Sequence, residues 1–161
     1  MKIIFNNNDN PSFERSISNP TRGVGEKTLG KIRQTAQKYN ISYIKASAKL
    51  IDEGSISGRG GSGLRDYLEF VAGCKSFIEE NSLSDLMELI IKESGLYSYH
   101  AKEAGEKGKT RTENLEELIT ATKNFEQSVK EDKTNTEIAE NYLDVISLDA
   151  GDRQAAEHDD A

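Results

Sequence analysis

Apolar residues recur at helical spacing along almost the whole chain, and this periodicity is the feature that most constrains the fold. The clearest stripe runs from Leu64 to Ile78, with apolar residues three or four positions apart. No segment alternates polar and apolar residues over the length of a strand. Only the opening MKIIF could form a short strand, and it reads equally well as the end of a helix. The pattern predicts an all-α protein, a compact bundle of about seven or eight short helices.

Capping and turn residues divide this pattern into separate helices. Asn10, which precedes a proline, and Ser42 are typical N-cap residues, while Gly54 and Gly95 each follow an apolar stripe and are typical of helix ends. Residues 54–63, GSISGRGGSG, are predicted to be the most flexible stretch. The helices are expected over about 11–18, 26–39, 43–53, 64–80, 82–94, 96–103, 112–127 and 136–149.

The length and composition fit one hydrophobic core, because the chain has 161 residues of which 35% are hydrophobic. We expect a single helical domain over residues 1–150 and an acidic, poorly ordered tail over 151–161. The apolar runs are too short for a membrane span or a signal peptide, so a cytoplasmic protein is expected. The single cysteine, Cys74, excludes an intramolecular disulfide, and the two histidines lie too far apart for metal-ligand spacing.

Charge is distributed unevenly along the chain, whose formal net charge is −7. Residues 1–60 carry ten Lys or Arg and five Asp or Glu, whereas residues 61–161 carry eleven and twenty-three. Contact with phosphate depends on local basic patches and not on the overall isoelectric point. The acidic total therefore does not exclude a nucleic-acid partner for the basic part.

Catalytic motifs have little support in this sequence. A nucleophile elbow, a zinc-type histidine pair and a histidine close to the cysteine are all absent. The triplet Gly-Lys-Thr at 108–110 imitates the end of a nucleotide-binding loop, but the position that requires the first glycine of that loop is Glu103. We therefore expect neither catalysis nor a bound cofactor in this chain.

The segment NPTRGVGEKT, residues 19–28, has the glycine-hydrophobic-glycine pattern of a helix-hairpin-helix-like element near the N-terminus. Gly23 and Gly25 would permit positive φ and leave backbone N–H groups free at the positive end of the next helix, where a DNA phosphate can bind. Val24 would point back and fix the hairpin to the core. The cations expected to add to phosphate binding are Arg22, Lys27 and Lys31. The alternative is a glycine turn that only joins two helices.

A second basic segment, KGKTRTENLEEL, covers residues 107–118. It is predicted as a loop in which Lys107, Lys109 and Arg111 precede a helix start, which again favours contact with phosphates. Glu113 and Glu116 could instead simply cap and solubilise the helix. Neither segment has an aromatic platform for stacking, so the expected contact is with the duplex backbone and not with splayed bases.

Taken together, NPTRGVGEKTLGKIRQTAQKYN and GEKGKTRTENLEELITATKNF resemble the 2B accessory subdomain of bacterial UvrD/Rep/PcrA-type superfamily-one DNA helicases. The resemblance covers essentially all 161 residues and implies a fragment excised from a longer protein. It implies an all-helical subdomain that contacts double-stranded DNA at a single-strand/duplex junction. The parent implied is an ATP-dependent 3′-to-5′ helicase of DNA repair and replication restart, whose motor domains and repair proteins would be partners.

The resemblance also implies where the ligands of the helicase would bind. ATP and Mg would bind to flanking motor segments, so the fragment alone should have no activity. Where the family usually has alanines, residues 57–64 read SGRGGSGL, which puts the start of the 64–80 helix in doubt and suggests a looser joint. The residues implied to contact DNA are Thr21, Arg22, Gly23, Val24 and Gly25 in the hairpin, and Lys109, Thr110, Arg111 and Asn114 in the second segment.

A function of a different class is also open. The acidic residues of 61–161 could dock a basic partner or the helicase's own motor, with the glycine turns acting as hinges. The chain would then be a protein-interaction or autoinhibitory module without direct DNA contact.

Overall fold

The computed structural model describes residues 1–18, 22–129 and 131–146, and over these ranges it contains helices and no strand. This confirms the predicted all-α class; the nine helices within the described ranges exceed the expected number by one or two. The predicted acidic tail, 151–161, lies outside the described residues. The helices are α1 (Lys2–Phe5), α2 (Asn10–Ser18), α3 (Glu26–Tyr39), α4 (Tyr43–Asp52), α5 (Gly58–Glu80), α6 (Leu83–Glu93), α7 (Leu96–Ala101), α8 (Glu106–Ser128) and α9 (135–146).

Side-chain caps and left-handed residues set several of the helix ends. The Ser42 hydroxyl accepts a hydrogen bond from the Lys45 N–H at 3.2 Å, as predicted for the start of α4. Gly54 and Gly95 adopt φ of +69° and +83° after α4 and α6, which confirms them as helix ends. The opening MKIIF forms the short helix α1.

The cap predicted for α2 was wrong by one residue. Asn10 is the first residue of the helix, and Asp9 caps it by accepting from the Ser12 N–H at 3.1 Å. The Asn10 side chain instead accepts from the Tyr43 N–H at 3.1 Å, which joins α2 to the start of α4. The sequence alone could not separate two adjacent residues that both make good caps.

Helix α5 is the structural centre of the described residues. It packs against α1, α4 and α6, while α8 packs against α6 and α7. Its buried residues continue into a single core shared with the neighbouring helices. The side chains with essentially no exposed surface include Phe13, Ile17, Ile32, Leu64, Tyr67, Ile78, Leu83 and Leu86. None of the described helices is long and apolar enough to cross a membrane.

Cys74 lies inside this core on α5, with 1% of its surface exposed. Burial raises the pKa of the Cys74 thiol from 9.0 to about 11, against a smaller opposing effect of the N-terminal amino group. We expect a thiol reagent at about pH 8 to label native protein no faster than the protein unfolds, because only a thiolate that reaches solvent reacts. Labelling should become fast in denaturant. Fast stoichiometric labelling of native protein would contradict the buried position.

The same burial gives a pH dependence of a definite sign. In the unfolded chain the thiol ionises near 9.0, whereas in the folded chain it stays protonated up to about pH 11. The stability that this group contributes is therefore complete below pH 9 and declines as the pH rises from 9 to 11. Unfolding titrations of the wild type and Cys74→Ala should show a smaller decline for the variant over this interval.

Candidate nucleic-acid interface

The glycine hairpin lies between α2 and α3, and residues 22–25 of it are described; Thr21 lies outside the described residues. Gly23 has a φ of +78°, a conformation that side chains other than glycine rarely adopt. Val24 is 6% exposed and belongs to the core, which confirms that it points inward. Gly25 is the N-cap of α3, with extended backbone and open space where a Cβ would lie.

Arg22 is turned inward, toward the protein. Its guanidinium donates a hydrogen bond to the carbonyl oxygen of Ser16 and lies 5.4 Å from the centre of the Tyr67 ring. Burial lowers the pKa of Arg22, an effect that Tyr67 partly opposes. The Tyr67 and Ser16 hydroxyls are 2.5 Å apart. Arg22 thus joins the hairpin to α2 and α5, where it lines a cleft of about 590 Å³ with three carboxylates, those of Asp66, Glu69 and Glu93.

The glycine-rich stretch after α4 is part of a helix from Gly58 onward, which corrects the predicted start of that helix. Helix α5 begins at Gly58, six residues before the predicted start. A Cβ placed on Gly63 would come closer than 3.0 Å to the carbonyl oxygen of Arg22, a separation that real Cβ atoms essentially never show. A Cβ on Gly60 would lie 3.5 Å from the carbonyl oxygen of Gly23. These glycines let the backbone of the hairpin rest directly on α5.

The first turn of α3 presents backbone N–H groups without a capping side chain. Lys27 is exposed there and makes no hydrogen bond or ion pair with any described residue. Glu26, which would oppose a phosphate, lies 2.5 Å from a guanidinium nitrogen of Arg33 and is partly neutralised. Lys31 donates to the carbonyl oxygen of Ser55 at 3.2 Å, so its position is fixed beside the loop that precedes α5.

The second candidate segment is helical and not a loop, which corrects its prediction. Helix α8 begins at Glu106, after Gly105 with a φ of +80°, six residues before the predicted start. Gly108 is buried, and a Cβ on it would lie 2.9 Å from the carbonyl oxygen of His100. Close packing of this turn against α7 explains the early start, since glycine is otherwise unfavourable inside a helix.

The basic residues of α8 point in different directions. Lys107, Thr110 and Asn114 are exposed and recur at helical spacing, so they share one side of the helix. Lys109 faces another side, with its ammonium 3.9 Å from Glu113. Arg111 donates to Glu103 Oε1 at 2.6 Å, and His100 Nδ1 lies 2.9 Å from the same oxygen. The hydrogen bond with His100, followed by that with Arg111, lowers the pKa of Glu103.

The two candidate regions are held by different helices. α3 packs against α4, whereas α8 packs against α6 and α7. The two candidate regions therefore lie on helices that pack against different neighbours. Sequence reasoning missed Arg59, which lies across Gly23; its position inside a glycine-rich stretch read as flexible hid it.

The Gly-Lys-Thr triplet does not form a nucleotide-binding loop. Gly108, Lys109 and Thr110 are part of α8, and the buried Gly108 faces α7 and not an open loop. No group of three or more His, Cys, Asp or Glu side chains that could hold a metal ion occurs in the described part of the chain. The geometry does not fit ATP or Mg binding by this segment.

Comparison with known proteins identifies relatives along the whole chain. It is 36% identical over 161 residues to DNA helicase II of Escherichia coli (strain K12) and 35% identical over 161 residues to that of Salmonella typhimurium. It is 30% identical over 149 residues to the ATP-dependent DNA helicase PcrA of Leuconostoc citreum. The chain spans 22% of the length of the first two relatives and 20% of the third. No protein-family model matches the chain.

Proposed function

Because the chain is related over its full length to a segment of DNA helicase II and over 149 residues to a segment of the helicase PcrA, we propose that it is a duplex-contacting and regulatory subdomain of a UvrD/PcrA-type helicase. The parent would be an ATP-dependent 3′-to-5′ DNA helicase of repair and replication restart, with ATP and Mg bound by flanking motor segments. The fragment would bind the backbone of double-stranded DNA without sequence preference. The resemblance to these helicases implies, in addition, that rotation of the subdomain would switch the motor between inhibited and active arrangements.

The observation that carries the proposal is the exposed start of α3. Gly25 opens the helix without a capping side chain, so its first N–H groups and the positive end of the helix dipole face outward beside Lys27. Residues 22–33 contain four basic side chains and one acidic side chain, in a chain that is acidic overall. These features support binding of a phosphate of the duplex backbone at the hairpin.

A second contact is proposed on α8. Lys107, Thr110 and Asn114 form an exposed stripe that can reach backbone phosphates with one ammonium and two polar side chains. Arg111 and Lys109, both engaged by carboxylates, would contribute only after those ion pairs rearrange. Two contacts on different helices would fix the orientation of the subdomain on the duplex.

We expect Lys27→Glu and Lys107→Glu each to weaken binding of a duplex with a 3′ single-stranded tail by about threefold to tenfold. Each variant replaces an attraction to phosphate by a repulsion at an exposed position. The slope of log affinity against log salt should also fall by about 0.9 for each phosphate that the variant no longer neutralises. Fluorescence anisotropy of labelled DNA at low and then rising salt measures both quantities.

The matched controls are Lys38→Glu on α3 and Lys123→Glu on α8, which make the same change in charge far along the same helices. If all four variants bind equally, or if the wild type does not bind duplex at low salt, direct DNA contact is excluded. The result would then favour the alternative function, in which the chain docks a basic partner.

One observation supports this second candidate function. The cleft beside Arg22 is lined by Asp66, Glu69 and Glu93 and would suit a basic partner.

A further inference from the structure

The guanidinium that lies at the hairpin comes from α5. Arg22, the arginine of the hairpin itself, is directed to the Ser16 carbonyl and to Tyr67. A Cβ placed on Gly23 would lie 3.0 Å from Cγ and 3.3 Å from Nε of Arg59. The side chain of Arg59 therefore runs across Gly23, through the space that a side chain at position 23 would occupy.

No residue in the described part of the chain neutralises the charge of Arg59. It is exposed and makes no hydrogen bond or ion pair with the described residues. It stands in the first turn of α5, which contains no acidic residue. A cation at the positive end of a helix dipole is unfavourable, and a bound anion would relieve that repulsion.

Three glycines place Arg59 beside the hairpin. Gly60 and Gly63 allow the hairpin backbone to rest on α5, one and four positions after Arg59. Gly23 leaves room for the arginine stem while turning the chain with its positive φ. A guanidinium offers a planar fork of N–H donors that matches two phosphate oxygens, which a lysine ammonium cannot do.

We propose that Arg59 is a further DNA-contacting residue, which supplies the hairpin with the phosphate-binding guanidinium that Arg22 does not present. The inference rests on the proposed function and deepens it, because it names a contact from a second helix at the same site. Arg59 and Lys27 would bind backbone phosphates together, one from the start of α5 and the other from the start of α3.

The test measures binding of a tailed duplex by the full 161-residue chain, with Arg59→Ala compared with Arg65→Ala. Both arginines are exposed on α5. Arg65 lies six residues after Arg59 along the helix and therefore points away from the hairpin. Arg59→Ala should weaken binding about threefold or more and reduce the salt slope by about 0.9, whereas Arg65→Ala should leave both nearly unchanged. Arg59→Lys should recover only part of the affinity, since it restores charge but not the fork.

Circular dichroism melting shows whether each variant is folded, and the exposed position of Arg59 makes a folded variant the expected result. Equal binding by Arg59→Ala and Arg65→Ala, with Lys27→Glu still weakened, would overturn this inference and leave the proposed function in place. If neither Lys27→Glu nor Arg59→Ala has an effect, or the wild type does not bind, both proposals fail.

Discussion

Gly63→Ala should lower the free energy of unfolding by about 3 kcal/mol, since a Cβ at this position meets backbone that cannot rotate away. The Cβ would come closer than 3.0 Å to the carbonyl oxygen of Arg22 and 3.0 Å from its carbonyl carbon. Either the hairpin moves off α5 or the helix shifts, and both disturb the contact of Arg22 with Tyr67. Chemical denaturation followed by far-UV circular dichroism measures the change, which corresponds to a fall in Tm of about 6–12 °C.

Gly73→Ala is the matched control. Gly73 lies in the same helix, exposed, with open space where the Cβ would be. Alanine has the higher helix propensity, so this variant should be more stable by about 0.5–1 kcal/mol. If the two variants change stability equally, the hairpin does not rest on α5 as described. Weaker DNA binding by Gly63→Ala in conditions where the rest of the chain stays folded would connect this contact with the proposed function.

Phe13→Ala should cost about 4 kcal/mol, the largest loss expected from one side chain of α2. Phe13 has no exposed surface, and its ring packs edge-on against Tyr43 at 5.8 Å and Tyr67 at 5.3 Å between ring centres. The substitution therefore removes buried volume and two aromatic contacts at the junction of α2, α4 and α5. Against a typical total stability of about 5–15 kcal/mol, this loss is large enough to show in any unfolding curve.

Phe13→Leu separates the effect of the cavity from that of the lost aromatic contacts. It keeps most of the apolar volume, so it should cost about half as much free energy of unfolding as Phe13→Ala. An equal loss in both variants would mean that the edge-on contacts with the tyrosines, and not the cavity, dominate. A negligible loss in Phe13→Ala would contradict the buried position of this ring. Because Tyr67 also lies under Arg22, the loss should spread to the hairpin.

Glycine positions mark where sequence reasoning was incomplete. Helices α5 and α8 both begin six residues before their predicted starts, at Gly58 and Glu106. Glycine is unfavourable inside a helix by about 1 kcal/mol relative to alanine, so a run of glycines favours a loop by local propensity. At Gly63 and Gly108 that cost is offset by close approach to backbone from another segment. Propensity describes only the local chain, whereas these contacts come from elsewhere in the fold.

The roles of the arginines show the same limit. The pattern of the hairpin predicted Arg22 as a phosphate contact, but its guanidinium lies against the Ser16 carbonyl and the Tyr67 ring. Arg59, thirty-seven positions later in the chain, lies across Gly23 instead. Spacing in sequence shows that a cation is near the hairpin but not in which direction its side chain extends.

The sequence by itself determined the helical class, most of the helix ends and the inward position of Val24. It also determined the similarity to DNA helicase II over the full length and to the helicase PcrA over 149 residues. These properties follow from local periodicity, from capping chemistry and from sequence segments similar to those of the related helicases. All three can be seen in the sequence without the fold. Only the tertiary structure decided which glycines are required, in which direction Arg22 and Arg59 extend, and that the two basic regions lie on helices with different neighbours. Each of these depends on atoms far apart in sequence. A glycine in the sequence shows where a side chain is missing, but only the fold shows which atoms occupy that space.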